Sequence, residues 1–401
     1  MMRDRIARRN DPENLKAELP VIPEDLPDQL PTLLTASAPS QPMEGPLKIA
    51  IVAPPWFEIP PPSYGGIEVV CGTLVDGLVR RGHNVTLIGV GKNGTTGHFH
   101  STNAEPQFAH ISQTSPEVLH IARANEFIES QHFDVVHDHT NAGPLSAALR
   151  TAPTVVTVHR PIHELADYYR LLRDSICLVA VSNSQRAPRP DLNWAGTVHN
   201  GVPLQQFTFN PQPGDYALWL ARFNPEKGPD IAIEMCRKAG VPLILAGKLN
   251  EEDEHDYLEK EIRPMLGPDV KLVLNADRRS VVQLVRNARC LVHSVRWAEP
   301  FGMVLIEAMS CGTPVLGLNR GAVSEVVLDG VTGWVRDDPD ELAEMLPQVD
   351  QLDRGACREH VKQHFSGGAM AAGYEQVYRS LIAERDIASG AASMLRSRRE
   401  D

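Results

Sequence analysis

Apolar residues in this chain fall into two rhythms. Short unbroken runs recur at Lys48–Ala53, Val85–Gly89, Asp134–His137, Thr154–Val158 and Cys177–Val181. They return at Ala217–Ala221, Pro242–Ala246, Lys271–Leu274, Cys290–His293 and Pro314–Leu316. Between several of them apolar residues repeat every three or four positions, most clearly over Ile67–Arg81, Pro229–Lys238 and Val281–Ala288. A continuous apolar run reads as a strand buried on both faces, and the longer period as a helix with one apolar side. Strands alternating with helices predict a parallel sheet covered on both faces. The alternation occurs twice, so the chain reads as two doubly wound α/β domains in tandem, facing a central cleft. Asp338-Pro339 predicts one more helix start, with Asp338 as cap and Pro339 in the first helical position.

Proline and glycine place the boundaries. Residues 1–46 contain eight prolines, with acidic residues between short apolar dyads, and read as a disordered leader. The first domain is predicted over 47–210 and the second over 211–370, with the linker around Phe207–Gly214. Residues 371–401 continue a last helix, about Met370–Ala383, that crosses back onto the first domain, followed by a tail. In doubly wound folds ligands bind beyond the carboxyl ends of the strands. Two facing domains therefore present their ligands to one cleft.

Composition narrows the partners. The 401 residues are 42% hydrophobic and 22% charged, with a net charge of −12. Such a chain lacks the broad basic face that nucleic acid demands, whereas a small anion needs only a local positive pocket. The six cysteines are scattered, with no Cys-x-x-Cys pair. That argues against a disulfide framework or zinc site and suits a reducing, cytoplasmic setting. No apolar stretch reaches the ~18 residues of a membrane span, and the N-terminus lacks the apolar core of a secretory signal.

Four groups carry candidate chemistry. In Glu299-Pro-Phe-Gly-Met-Val-Leu-Ile-Glu307, Pro300 and Gly302 open a helix predicted over Met303–Ser310, and Gly312 suits the left-handed position after it. The unpaired N–H groups of such a helix start make a seat for phosphate. Glu299 would lie beside that phosphate and Glu307 further along, the layout of a nucleotide sugar. Two ordinary solvated carboxylates are the alternative. In Leu220–Gly228, Arg222 and Lys227 sit in a strand-to-helix loop, where two cations can neutralise a diphosphate; a surface pair bridged to Glu226 is the alternative. Gly65-Gly66 lets backbone approach a ligand at a helix start, or makes a plain turn. His137-Asp138-His139 ends one strand and His159-Arg160 the next, so neighbouring strand ends bring these histidines together. A neutral histidine there binds a hydroxyl or accepts a proton; structural and metal-ligand roles fit the same spacing. Two patterns are set aside. Gly89–Gly94 spells a dinucleotide fingerprint but follows the second strand, with no helix predicted after it. Asp338-Pro-Asp340 is explained by capping.

Together these residues resemble glycosyltransferase family 4, retaining sugar transferases with the GT-B fold of two Rossmann-like domains. The resemblance spans about residues 47–385. It is carried by Glu299 and Glu307, by Gly312-Thr-Pro-Val and Asp329-Gly-Val-Thr-Gly333, by Arg222 with Lys227, by Gly65-Gly66, by the strand ends at His139 and His159, and by Asn200-Gly-Val202. It implies that Arg222 and Lys227 hold the diphosphate and aid departure of the nucleotide. Glu299 would contact donor-sugar hydroxyls, with Phe301, Gly302 and Met303 offering backbone groups. Glu307 would bind the ribose, and Gly247 and the Leu274–Asp277 turn would border the base. His139 would lie near the reaction centre, with His137 and His159 on the acceptor side. The resemblance implies a nucleoside-diphosphate sugar as co-substrate, a sugar, glycan or lipid acceptor, no cofactor and no divalent metal. Rival readings are a sugar phosphorylase, a nucleotide-sugar epimerase, a silent carbohydrate- or nucleotide-binding module and, more distantly, a nicotinamide oxidoreductase.

Overall fold

The continuous apolar runs become central strands because each is covered on both faces. In a computed structural model the chain is described over residues 45–61, 65–111, 113–249 and 251–400, with residues 388–400 as backbone. Nearly all of the leader reading therefore falls outside the described residues, as do Pro62, Ser63 and Tyr64 ahead of Gly65. The first sheet contains β1 (Lys48–Val52), β2 (Asn84–Val90), β3 (His98–Asn103), β4 (Val135–Asp138), β5 (Thr154–Val158), β6 (Ile176–Ala180) and β7 (Trp194–Thr197). Its order is β3-β2-β1-β4-β5-β6-β7, with every pairing parallel. The second contains β8 (Ala217–Leu220), β9 (Leu243–Gly247), β10 (Val270–Leu274), β11 (Cys290–His293), β12 (Val315–Leu318) and β13 (Gly333–Arg336). Its order is β10-β9-β8-β11-β12-β13, again parallel throughout. The two-domain α/β expectation therefore holds.

The strands that periodicity did not predict are β3, β7 and β13. All three lie at sheet edges and are only partly buried, so none shows the unbroken apolar signature of a central strand. The stretch after Gly89–Gly94 is β3 rather than a helix, as its residues suggested. Within each sheet the order reverses direction at one point, between β1 and β4 and between β8 and β11. These are the switch points where a doubly wound sheet opens a crevice for ligand.

The chain passes between the sheets twice, and the two passages are pinned together. Val202 N–H donates to Phe365 O at 2.9 Å, and Gly367 N–H donates to Val202 O at 3.1 Å. A Cβ on Gly201 would stand 2.6 Å from Ser366 O, so only glycine lets these backbones meet. The helix Gly367–Glu400 then runs over the first sheet. Met370, Ala371, Tyr374 and Tyr378 join Val70, Leu74 and Leu78 of the helix Gly66–Arg80 in one core. No helix among the described residues is long and apolar enough to cross a membrane.

Gly77 is the point of closest approach between these helices. A Cβ there would meet Gly367 O at 2.7 Å and Ala371 Cβ at 2.8 Å. A larger residue would gain up to ~1 kcal/mol of helix propensity, but overpacking against fixed backbone costs ~1–3 kcal/mol. Gly77→Val is therefore expected to lower the melting temperature by several degrees; an unchanged melt would show that the helices part freely.

Candidate functional site

The second-sheet switch point is built by two loops that crowd one another. After β8, the Asn224 side chain accepts from Lys227 N–H at 3.1 Å and caps the short turn Pro225–Lys227. Gly228 follows with φ 61°, and a Cβ on it would lie 2.1 Å from Ser294 O. That close passage carries Lys227 against the residues that follow β11. There Lys227 Nζ meets Glu299 Oε2 at 2.6 Å. The Trp297 indole N–H donates to the same oxygen at 3.0 Å, and Lys227 Nζ stands 4.4 Å from the Trp297 ring centre. His293 Nε2 lies 4.0 Å from Glu299 Oε2. Burial pushes His293 down to about 4, so at neutral pH it is an uncharged neighbour.

The backbone of Glu299 is fixed as firmly as its side chain. Its carbonyl accepts from Ala322 N–H at 2.9 Å, and Gly321, with φ 67°, packs so closely that a Cβ would lie 2.3 Å from Glu299 N and O. The helix Met303–Ser310 begins four residues on, with Gly302 at φ 84° before it and Gly312 at φ 85° after it. Both ends are thus where the punctuation predicted. The Phe301 side chain is buried, packed near His199 and Phe365, which leaves only its backbone for a ligand. Glu307 lies in the second turn, half-buried. Its carboxylate is pushed above the usual range by burial, with Arg278 pulling it down. Among the described residues it has no hydrogen-bond or salt-bridge partner, so its acceptor oxygens are unspent.

Arg222 and Lys227 do not stand as a pair. Arg222 Nη1 reaches Glu254 Oε1 at 3.3 Å and Glu251 Oε1 at 3.4 Å, at the start of the helix Glu252–Tyr257. Among the described residues neither cation bridges to Glu226. Gly247 ends β9 where a Cβ would be 2.1 Å from Ala221 O and 2.9 Å from the Phe223 ring. Packing alone therefore accounts for that glycine.

At the first-sheet switch point the histidines gather as expected, but with different standing. His139 N–H donates to Val52 O at 2.9 Å, tying β4's end to β1. His139 Nδ1 bonds His159 Nε2 at 2.9 Å, and among the described residues His139 Nε2 is buried without a partner. His137 does not face an acceptor: it has no exposed surface. Its Nδ1 is bonded to Tyr378 Oη at 2.6 Å and its Nε2 to Thr157 Oγ1 at 2.7 Å. Its ring lies 4.1 Å from that of His139, so it supports His139 from behind. Burial lowers all three histidines, His159 to about 4, so the cluster is neutral at pH 7. Gly66 opens the helix Gly66–Arg80, and among the described residues a Cβ on it would meet nothing within 4 Å, whereas a Cβ on Gly65 would stand 2.8 Å from Glu68 Oε2. Glu68 is itself buried and pushed up to about 7 by that burial.

Three participants escaped the sequence reading. Trp297 and His293 flank Glu299, and only the short spacing of Trp297 to Glu299 hinted at contact. Glu325, from the second half, accepts from the N–H groups of Asn183 and Ser184 and lies 3.3 Å from His199 Nε2. It thereby joins the two halves at one side of the cleft, and no local pattern signals it.

Residues 204–356 match the family described as Glycosyl transferases group 1, and residues 64–206 match Glycosyltransferase Family 4. An uncharacterized glycosyltransferase of Methanocaldococcus jannaschii is 25% identical over 278 residues, 63% of this chain and 77% of that protein. The D-inositol 3-phosphate glycosyltransferase of Mycolicibacterium smegmatis is 29% identical over 209 residues, 46% of either chain. Among solved structures, AviGT4, a glycosyltransferase involved in avilamycin A biosynthesis, aligns with a TM-score of 0.66 at 24% identity, over 84% of this chain and 99% of its own. HepE of Anabaena in complex with UDP-glucose aligns at 0.63 and 19% identity, over 84% and 99%. At such identities these likenesses speak for the fold.

Proposed function

Because the chain belongs to the glycosyltransferases of group 1, family 4, we propose that it moves a hexose with retention from a nucleoside-diphosphate sugar to an acceptor hydroxyl. The two facing sheets are the GT-B fold. The acceptor is a sugar, glycan or lipid, met on the histidine side of the cleft. The observation that carries this reading is Lys227, Glu299 and the start of the helix Met303–Ser310 at one switch point, with Glu307 unpartnered one turn on. That is a cation and helix N-terminus for phosphate, a carboxylate for sugar hydroxyls, and a second carboxylate for ribose hydroxyls.

In this reading the bond between the anomeric carbon and the phosphate oxygen lengthens first. Negative charge grows on the departing diphosphate, where Lys227 stabilises it in a partly dehydrated site. Arg222 joins after leaving Glu251 and Glu254. The acceptor oxygen bonds to the same face of the sugar, and its proton passes to the leaving phosphate oxygen. His139, neutral, lies near the reaction centre on the acceptor side. No divalent metal takes part.

UDP-, GDP- and ADP-sugars are the donors to try, UDP first because the HepE neighbour is recorded with UDP-glucose. Thermal shift with UDP, GDP, ADP and NAD makes the test. At 100 times its dissociation constant a bound ligand adds ~2.7 kcal/mol. One nucleoside diphosphate should raise the melting temperature, and donor hydrolysis or transfer should persist in EDTA. A shift with NAD alone would overturn the reading, and loss of turnover in EDTA would overturn its metal independence.

A further inference from the structure

The roles above leave Trp297 without one, although it touches both groups at the centre of the donor site. Glu299 Oε2 receives two donors at once, Lys227 Nζ at 2.6 Å and the Trp297 indole N–H at 3.0 Å. The same indole offers its face to Lys227 at 4.4 Å, inside cation–π range. Three groups thus close a triangle. A diphosphate arriving at Lys227 competes with Glu299 for that ammonium. The Glu299 side chain is only 11% exposed, and a buried carboxylate stripped of its donor is strongly disfavoured. The indole nitrogen is a donor only, so it stays on the carboxylate when lysine leaves. Lysine is a compact charge on a flexible stem, and the ring face limits where it can go.

We propose that Trp297 is a positioning residue: it seats Lys227 for the incoming diphosphate and keeps Glu299 anchored while Lys227 changes partners. The inference rests on the nucleotide-sugar reading. Two variants separate its two contacts, since Trp297→Phe keeps the face and loses the N–H, whereas Trp297→Ala loses both. Calorimetry would measure binding of UDP, GDP or ADP, whichever the wild type takes, beside the matching monophosphate. Steady-state transfer would give kcat and KM.

Trp297→Ala is expected to weaken diphosphate binding about tenfold, with the monophosphate changed less than about threefold. Trp297→Phe is expected to keep diphosphate affinity within about threefold and to lose about tenfold in kcat, because Glu299 is then loose in the step that follows. Equal weakening of mono- and diphosphate would mark a merely structural role and overturn the proposal, as would wild-type behaviour in both variants. If Trp297→Ala does not fold, the kcat-against-affinity split in Trp297→Phe decides alone. A wild type that binds none of the three diphosphates overturns the donor-site reading and this inference with it. Normal wild-type binding with unaltered variants overturns this inference only.

Discussion

Lys227→Ala is expected to lower kcat/KM for sugar transfer by about 10²–10³, the loss that follows removal of one preorganised group facing a developing negative charge. The effect should lie mainly in kcat, because charge on the diphosphate is greatest as the sugar departs. The fold should survive: Glu299 keeps the indole N–H of Trp297 as donor, and the Glu299 backbone is held by Ala322 and Gly321. A modest fall in melting temperature with an unaltered circular dichroism spectrum is the expected control. Arg222→Ala should act in the same direction but less strongly, since Arg222 must first leave Glu251 and Glu254. Wild-type turnover in Lys227→Ala would remove the diphosphate clamp from the mechanism.

Glu307→Gln is expected to weaken nucleoside-diphosphate binding by about 10²-fold, because hydrogen bonds to a charged acceptor contribute ~1.5–3 kcal/mol and two ribose hydroxyls share it. The same substitution should raise the melting temperature near pH 7.5. Burial holds the Glu307 carboxyl above its ordinary 4.5 in the folded chain, so the protonated form is the one that folding favours. Its stability contribution is complete below the unfolded value and is lost as pH rises through the folded one. Above that point the ionised side chain is a burden, which glutamine removes. Binding has the opposite sign: ribose hydroxyls donate to the ionised form, so donor KM should climb as pH falls through the raised value. In Glu307→Gln that climb should vanish. Titration calorimetry and melts across pH 4–8 check both; affinity and stability falling together would assign Glu307 a structural role instead.

Both predictions rest on residues legible in the sequence, but the geometry that gives them force is not legible there. Glu307 is recognisable from its place in a helix whose two ends are written locally in Gly302 and Gly312. Lys227 is recognisable as a cation after a strand. That it lies on Glu299, 72 residues away, follows from β8 and β11 being neighbours at the switch point, with Gly228 jammed against Ser294. Arg222 looks identical in sequence context, yet the helix Glu252–Tyr257 draws it aside. The three histidines are correctly grouped by neighbouring strand ends. That both nitrogens of His137 are spent is decided by Tyr378 and by Thr157, which Tyr374 holds in turn, from a helix more than two hundred residues further on.

The sequence by itself determined the alternation of strand and helix, the division into two similar halves, and the helix ends that frame Glu299 and Glu307. Those features depend on periodicity, capping and glycine, and act over a few residues. Tertiary structure alone decided that the edge strands β3, β7 and β13 exist, that His137 supports rather than contacts, and that Trp297 closes the triangle with Lys227 and Glu299. Edge pairing, burial and ion-pair choice depend on what the rest of the chain brings alongside. That is set by sheet order and close backbone approach, quantities no local pattern contains.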